Sequence, residues 1–582
     1  MFAALLASAW WLDQSDHAPV ELGDAPFVLR EVSAELGLDF THQQASLDPR
    51  LAGVEPHVAG TGAAVSVCDV NNDGRPDLYV TSSRQGTANA LFVQRADGRF
   101  EDRADEAGLA HLNEPGSGVS THSVWADMDN DGDEDLFLAK WGRPRLLRND
   151  SERGVNAALR FTDVSAGSGL PAWTNASGAT WFDADHDGRV DLFVPNYFHE
   201  SHDLWDLDTT EIMQDSFEFS SNGGNNLLFR NLGDGRFEDV TASAGLTSTR
   251  WTMAAAAADL DGDGDTDLYC ANDYGPEELY LNDGAGHFQL SSESSLADDS
   301  KSGMCVALGD VDNSGSFDVY VTNISEPGYL FQGNNLRVNA LADGRGFSNI
   351  ADGVRVLADC GWAWGAQFGD LDNDGLQDLF VANGFVSGDP APAPDYWYGM
   401  GKVAAGTGGL FTDAQNWPAM GTRSLSGFQR SRVLHNLGRD RFVDVAAQVG
   451  LSDSFDGRAV ALADLSGRGA LDVIVANQRG PLLVYRSTPP AENHWIALRL
   501  SGSASNRSAI GAELRVLADG RWHTRVVDGG MGFAAQNERR QLVGLGAATS
   551  VERVEIRWPS GQVQVLASLD VDREHLITEP EA

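Results

Sequence analysis

DMDNDGDEDL, residues 127–136, sets an aspartate at every second position and then turns apolar. Carboxylates this close repel one another, so a compact loop of this kind needs a cation among its oxygens. Calcium suits such a loop: side-chain oxygens at loop positions 1, 3, 5 and 9 and a backbone carbonyl at position 7 wrap one ion. Gly132, at position 6, permits the sharp reversal that aims them inward.

The stretch recurs. DVNNDGRPDL begins at Asp69, DADHDGRVDL at Asp183, DLDGDGDTDL at Asp259, DVDNSGSFDV at Asp310, DLDNDGLQDL at Asp370 and DLSGRGALDV at Asp464, which makes seven copies. Apolar runs such as GAAVSV precede the loops and alternating segments such as DLYVTS follow them, so strands flank each loop. An EF-hand would have helices there and a Glu at position 12.

Five loops carry the full set of ligands, position 7 contributing its carbonyl. They are Asp69, Asn71, Asp73, Arg75 and Asp77; Asp127, Asp129, Asp131, Asp133 and Asp135; and Asp183, Asp185, Asp187, Arg189 and Asp191. The other two are Asp259, Asp261, Asp263, Asp265 and Asp267, and Asp370, Asp372, Asp374, Leu376 and Asp378. These five are expected to be the strong calcium sites within this set. The loop of Asp310, Asp312, Ser314, Ser316 and Asp318 is expected to bind more weakly, because a hydroxyl replaces a carboxylate at position 5. At Asp464 the third and fifth positions are Ser466 and Arg468; a guanidinium bridging Asp464 and Asp472 takes the cation's place, and no metal is expected.

Between the loops run an asparagine-bearing segment (LLRND, LLFRNLGDG, LYLNDGAG, VLHNLGRD) and a segment of the type GRFEDVTASAGL. One unit therefore reads as four short strands, the blade of a β-propeller. FVLREVSAELGL, residues 27–38, is a fourth-strand segment that precedes every loop, while the last unit ends at LLVYRS without one. The N-terminal segment is expected to complete the final blade, closing the ring and hiding its sheet edges. The fold class is all-β: a seven-bladed propeller over residues 25–488, closed by an N-terminal strand, then a small β-sandwich-like domain over 489–582. A tail or residual signal segment occupies 1–24.

These repeats resemble the FG-GAP/VCBS repeats of integrin alpha-chain propellers and secreted bacterial proteins. The tail segments NHWIALRLSGSASNRSAIGAELRV, GGMGFAAQNERRQLVGLG and VEIRWPSGQVQVL look like an ASPIC/UnbV domain. The combination is similar to the cartilage acidic protein 1 family, bacterial members included, and the resemblance implies architecture without an established catalytic activity.

The formal charge is −44, while the tail from Asn493 balances ten Arg against eleven acidic residues. Even with six calcium ions bound, a net charge of roughly −32 repels phosphate polymers and anionic membranes, so nucleic acid is excluded as a partner. MFAALLASAWW is too short to span a membrane, and no transmembrane segment is expected. Loops of modest calcium affinity favour a secreted, periplasmic or cell-surface location and a monomer is expected. Cys68 and Cys305, on first strands, read as buried small hydrophobes.

Antiparallel strands place the longer connections on the face opposite the acidic loops. Two are long, after His199 and after Val386; the second carries Tyr396, Trp397 and Trp417, and neighbouring segments add Trp173, Trp251, Trp362 and Trp364. Such an aromatic surface suits an extracellular protein or glycan. The second long insertion is expected to be separable from the fold. No G-x-S-x-G or H-E-x-x-H occurs, and no catalytic residue is assigned. The alternative is an extracellular carbohydrate-active lyase or hydrolase with His57, His122, Lys301 and Arg458 converging at the channel mouth. The tail is expected to pack beside the propeller.

Overall fold

The computed structural model describes residues 25–292, 296, 299–326, 330–390, 394–404 and 410–581; the apolar start of the chain lies outside them. Seven sheets of four or more strands carry the acidic loops. In each, the loop joins the first strand to the second. Gly118–Ala126 ends one residue before Asp127, and Asp135 opens Asp135–Gly142. Ala126 lies opposite Asp135, and the register holds back to a bulge between Ser120 and His122. Both strands are buried along their whole length, because neighbouring sheets cover both faces.

The first strands touch one another in chain order, and the last, Asp456–Ala463, returns to the first, Val65–Cys68. The sheets thus form a closed β-propeller. Val28–Glu31 completes the final sheet, with Val28 opposite Thr488 and Glu31 opposite Tyr485, as the order of segments in the sequence implied. All four cysteines are buried free thiols.

The recurrent asparagine staples neighbouring sheets. Asn149 Nδ2 donates to the carbonyl of Glu134 in its own sheet's loop (3.1 Å) and of Val70 in the preceding one (3.0 Å). Asn231 bridges Val190 and Met128, Asn282 bridges Thr266 and Ala184, Asn339 bridges Phe317 and Leu260, and Asn436 bridges Gln377 and Val311. Ser487 Oγ reaches Leu371 in the same way, and Gln94 Nε2 carries the chain of bonds from the first sheet to Leu465 of the last. Every junction of the ring therefore has one side chain holding the neighbour's loop at its second position.

The C-terminal region forms a three-stranded sheet, with His494–Ser501 between Gln541–Gly546 and Arg573–Thr578, and a four-stranded sheet of Arg521–Val526, Glu513–Ala518, Arg553–Arg557 and Val563–Ala567. It does not flank the propeller but covers the acidic-loop face. Its Ile496, Leu514, Ile556 and Trp558 share one core with Val124, Trp181 and Phe237 of the propeller. The segment after Val527 enters the central channel: Ala535–Gln536 pairs in parallel with Val65–Ser66, and Gly532 N donates to Val306 O (2.8 Å). Gln536 exchanges two hydrogen bonds with the Trp125 backbone, at 2.7 and 2.9 Å. The fit excludes a side chain at Gly529, where a Cβ would lie 1.8 Å from the Trp181 carbonyl oxygen.

The staples are testable one at a time. Asn231→Ala strands two buried carbonyls and is expected to cost about 2 kcal/mol, read from the urea midpoint. An unchanged midpoint would mean the sheets hold together without them.

Candidate functional site

Each acidic loop is organised by its first and ninth residues. Asp127 accepts from Asp131 N (2.9 Å) and Gly132 N (2.7 Å). Asp183, Asp310 and Asp370 do the same with the fifth and sixth residues of their loops. The backbone turns through positive φ at Asn130 (58°) and Gly132 (98°), conformations that Asn and Gly adopt at least cost. The ninth residue ties the loop to the third strand: Asp135 accepts from Met128 N (3.0 Å) and Asn149 N (2.8 Å).

This geometry gathers carboxylates. Asp127, Asp129 and Asp135 each offer an oxygen within 4.8 Å of the others, as do Asp183, Asp185 and Asp191, Asp310, Asp312 and Asp318, and Asp259, Asp261 and Asp263. Burial, reinforced by like charge, pushes Asp127, Asp183 and Asp310 up to about 6 and Asp267 to about 8. Asp129 Oδ1 and Asp185 Oδ1 are buried with no hydrogen-bond partner among the described residues. Oxygen donors without thiolates, crowded and undersatisfied, fit a hard divalent cation.

Some compensation is already built in. Arg75 and Arg189, at position 7, pair with Asp73 and Asp187 of their own loops. From the C-terminal region, Arg557 reaches Asp259 (2.9 Å), Arg499 approaches Asp69 (3.5 Å), and Arg539 pairs with Glu134. In the loop that departs from the pattern, Arg468 pairs with Asp472 and its backbone N–H reaches Asp464 (3.1 Å). The Arg468 side chain does not bridge both carboxylates as expected, because it extends to Ser487 O (2.6 Å); Arg540 lies 3.9 Å from Asp464 instead. The sequence reading also missed His435. Its Nδ1 bonds Asp378 (2.8 Å) inside the cluster of Asp372 and Asp378; burial opposes its charge, yet the carboxylates hold it protonated well above the usual range. The only signal was a His before the recurrent Asn, where Arg148 and Arg230 stand in other units.

The opposite face holds a cavity of about 740 Å³. The two long connections roof it together: Thr210 Oγ1 donates to Asp413 (2.7 Å), and Met213 N to Thr412 O (2.9 Å). Trp251, Trp362, Trp364 and Trp417 line it. Their burial corrects the expectation of an open aromatic surface, since each is at most 6% exposed. Tyr396 is buried outside the lining, Trp173 is half-buried elsewhere, and the Trp397 side chain lies outside the described residues. The second insertion shares a core with the propeller: Met400, Val403, Trp417 and Met420 pack in one cluster with Val65, Ala307 and Ala461 of the first strands.

The four polar residues proposed at the channel mouth are not brought together. Only His57 lines the cavity. His122 accepts from Ala179 N (3.0 Å) and lies 3.2 Å from Ala535 O of the inserted segment, and burial pushes it down to about 4. Lys301 pairs with Asp299 (3.2 Å). Arg458, fully buried beside Trp364, donates to Gly60 O (2.6 Å), Gly384 O (2.7 Å) and Phe385 O (2.7 Å). It fastens the cavity floor.

Family models match this architecture at both ends. FG-GAP-like repeats match residues 69–138, 127–194, 217–270 and 259–321, and an ASPIC and UnbV model matches 502–582. The chain carries FG-GAP repeats followed by an ASPIC/UnbV domain. The loops at Asp370 and Asp464 lie beyond the matched repeats, yet their first aspartates accept the same two backbone bonds. Cartilage acidic protein 1 of Xenopus tropicalis is 24% identical over 502 residues, 83% of this chain and 63% of that protein. That of Mus musculus is 24% identical over 530 residues, covering 86% and 70%. The chain thus spans about two thirds of these relatives' length. Among solved structures, an Agrocybe aegerita protein described as recognising non-reducing terminal N-acetylglucosamine is 16% identical over 66% of this chain and 79% of its own, with a TM-score of 0.36. A Bacillus licheniformis rhamnogalacturonan lyase is 15% identical, covering 74% and 72%, at 0.35.

Replacing Arg458 with Met removes its hydrogen bonds to four buried carbonyls, those of Gly60, Gly384, Gly457 and Phe385. The expected loss is about 3 kcal/mol in denaturant unfolding, net of the relief from a buried charge. A variant as stable as the parent would show that the floor does not depend on this side chain.

Proposed function

We infer that this FG-GAP and ASPIC/UnbV protein is an extracellular, calcium-stabilised propeller that binds a ligand in the cavity opposite its acidic loops. The observation that carries the binding role is Gln214: it lines the cavity, is fully buried, and neither its Oε1 nor its Nε2 has a partner among the described residues. A buried amide left unsatisfied on both atoms costs stability unless something enters to pair with it. No helix among the described residues is long and apolar enough to cross a membrane. The burial of the tryptophans favours a small molecule, or a group protruding from a larger partner, over a flat protein or glycan surface.

Calcium is the cation proposed for the loops, held by the carboxylates at positions 1, 3, 5 and 9 with the carbonyl at position 7. Bound only to the folded loop, an ion at a hundredfold excess over its Kd adds about 2.7 kcal/mol per site. The domain division at residue 489 and the metal-free loop at Asp464 belong to the same proposal.

Scanning calorimetry with and without EDTA tests the stabilisation: chelation is expected to lower Tm, and an unmoved transition would end the calcium reading. Titration calorimetry tests the assignment of loops. Asp129→Ala is expected to bind one calcium fewer than the parent, and Ser466→Asp combined with Arg468→Asp one more. Identical stoichiometry in all three proteins would remove these loops as the binding sites.

A further inference from the structure

The lining of the cavity narrows the chemistry of its occupant. Aromatic rings follow one another around the wall: Trp364 to Phe385 (5.7 Å between centroids), Phe385 to His57 (5.2 Å), His57 to Trp417 (5.6 Å) and Trp417 to Phe217 (6.0 Å). The series continues from Phe217 to Tyr274 (6.0 Å), Tyr274 to Trp251 (5.9 Å) and Trp251 to Tyr197 (4.8 Å). Met213, Met253, Met304 and Met400 also line the cavity. Thioethers are polarisable and unbranched, so they adapt to a ring edge where a β-branched wall would not.

Charge is equally selective. Among the described residues the lining contains Asp273 and Glu218 and no Lys or Arg. Arg458 lies behind Trp364, 4.1 Å from that ring, with its N–H groups committed to backbone carbonyls. Burial pushes His57 down to about 4, so it is neutral and provides no counter-charge. An anion entering here would lose its hydration and meet no cation.

Beyond its two acidic side chains, the lining offers few buried polar atoms without partners among the described residues. Gln214 has both a donor and an acceptor to give, Thr61 Oγ1 and His57 Nδ1 lie buried without partners among the described residues, and Trp364 Nε1 adds a donor. A sugar presents hydroxyls around its whole rim, and most would face rings and thioethers. A flat apolar molecule with one polar group matches the supply.

We propose that the cavity binds a small, flat, largely aromatic molecule that carries no anionic group, anchored by one amine- or amide-type polar group on Gln214. This rests on the ligand-binding reading above and specifies its ligand class. The probe is N-phenyl-1-naphthylamine, neutral and with one N–H donor, titrated into the calcium-loaded full chain while energy transfer from the cavity tryptophans is followed. Saturable binding at one site per chain is expected. Gln214→Leu is expected to weaken it about tenfold, the loss of one buried hydrogen bond. Met253→Trp, or the milder Met304→Phe if that variant does not fold, should occlude the cavity and abolish transfer while the melting transition persists. The sulfonated analogue 1-anilinonaphthalene-8-sulfonate is expected to bind at least about tenfold more weakly.

Equal or tighter binding of the sulfonate, or full binding by the occluded variants, would overturn the proposal. A probe that does not bind, together with a glycan-array signal lost in Met253→Trp, would overturn this ligand class and leave the binding reading standing. Failure of both probe and array would overturn the two together.

Discussion

The ninth aspartate of each acidic loop sits where the propeller is most constrained. Asp135 is fully buried, accepts a backbone bond from the start of its own loop and another from the third strand, and still shares its surroundings with Asp127 and Asp129. The same carboxylates that fix the turn therefore create the repulsion that the turn must survive. Two kinds of counter-charge are available: a divalent cation among the oxygens, and arginine. The loop at Asp464 illustrates the second, with Arg468 on Asp472 and Arg540 close to Asp464.

That constraint separates the two faces of the ring. On the acidic side, the C-terminal region contributes arginines to Asp69, Glu134 and Asp259 and threads a segment into the channel, so the loops are covered. The ASPIC/UnbV region is thus part of the propeller's core and its electrostatics. On the other side the connections are long and have no such cover. They close on each other through Thr210 and Asp413 and leave a cavity between themselves and the ring.

Rigidity for that cavity comes from the ring beneath it. Asparagine side chains, with Ser487 and Gln94 at two junctions, hold each sheet to the preceding loop, and Arg458 draws carbonyls from two separate stretches of chain, Gly60 and Gly384–Phe385, to one point under Trp364. Gln214 differs from the other lining residues in leaving both a donor and an acceptor unpartnered among the described residues, beside the single unpartnered atoms of Thr61, His57 and Trp364.

The repeat, the strands flanking each loop and closure by the N-terminal segment were legible in the sequence because each is written locally: an acidic decapeptide, an apolar run, a segment out of order. The clustering of Asp127, Asp129 and Asp135 was legible for the same reason. The place of His435 was not, since it joins Asp372 and Asp378 from a strand more than fifty residues away. Nor was the purpose of the recurrent asparagine, whose bonds run between successive units. Tryptophan spacing told which face the rings share but not whether they are open or buried, because burial depends on how two long connections pack. The sequence alone determined the turns and their charge, which arise from neighbours along the chain. Only the tertiary structure decided what covers those charges and what encloses the cavity, because both depend on segments far apart in sequence meeting across the ring.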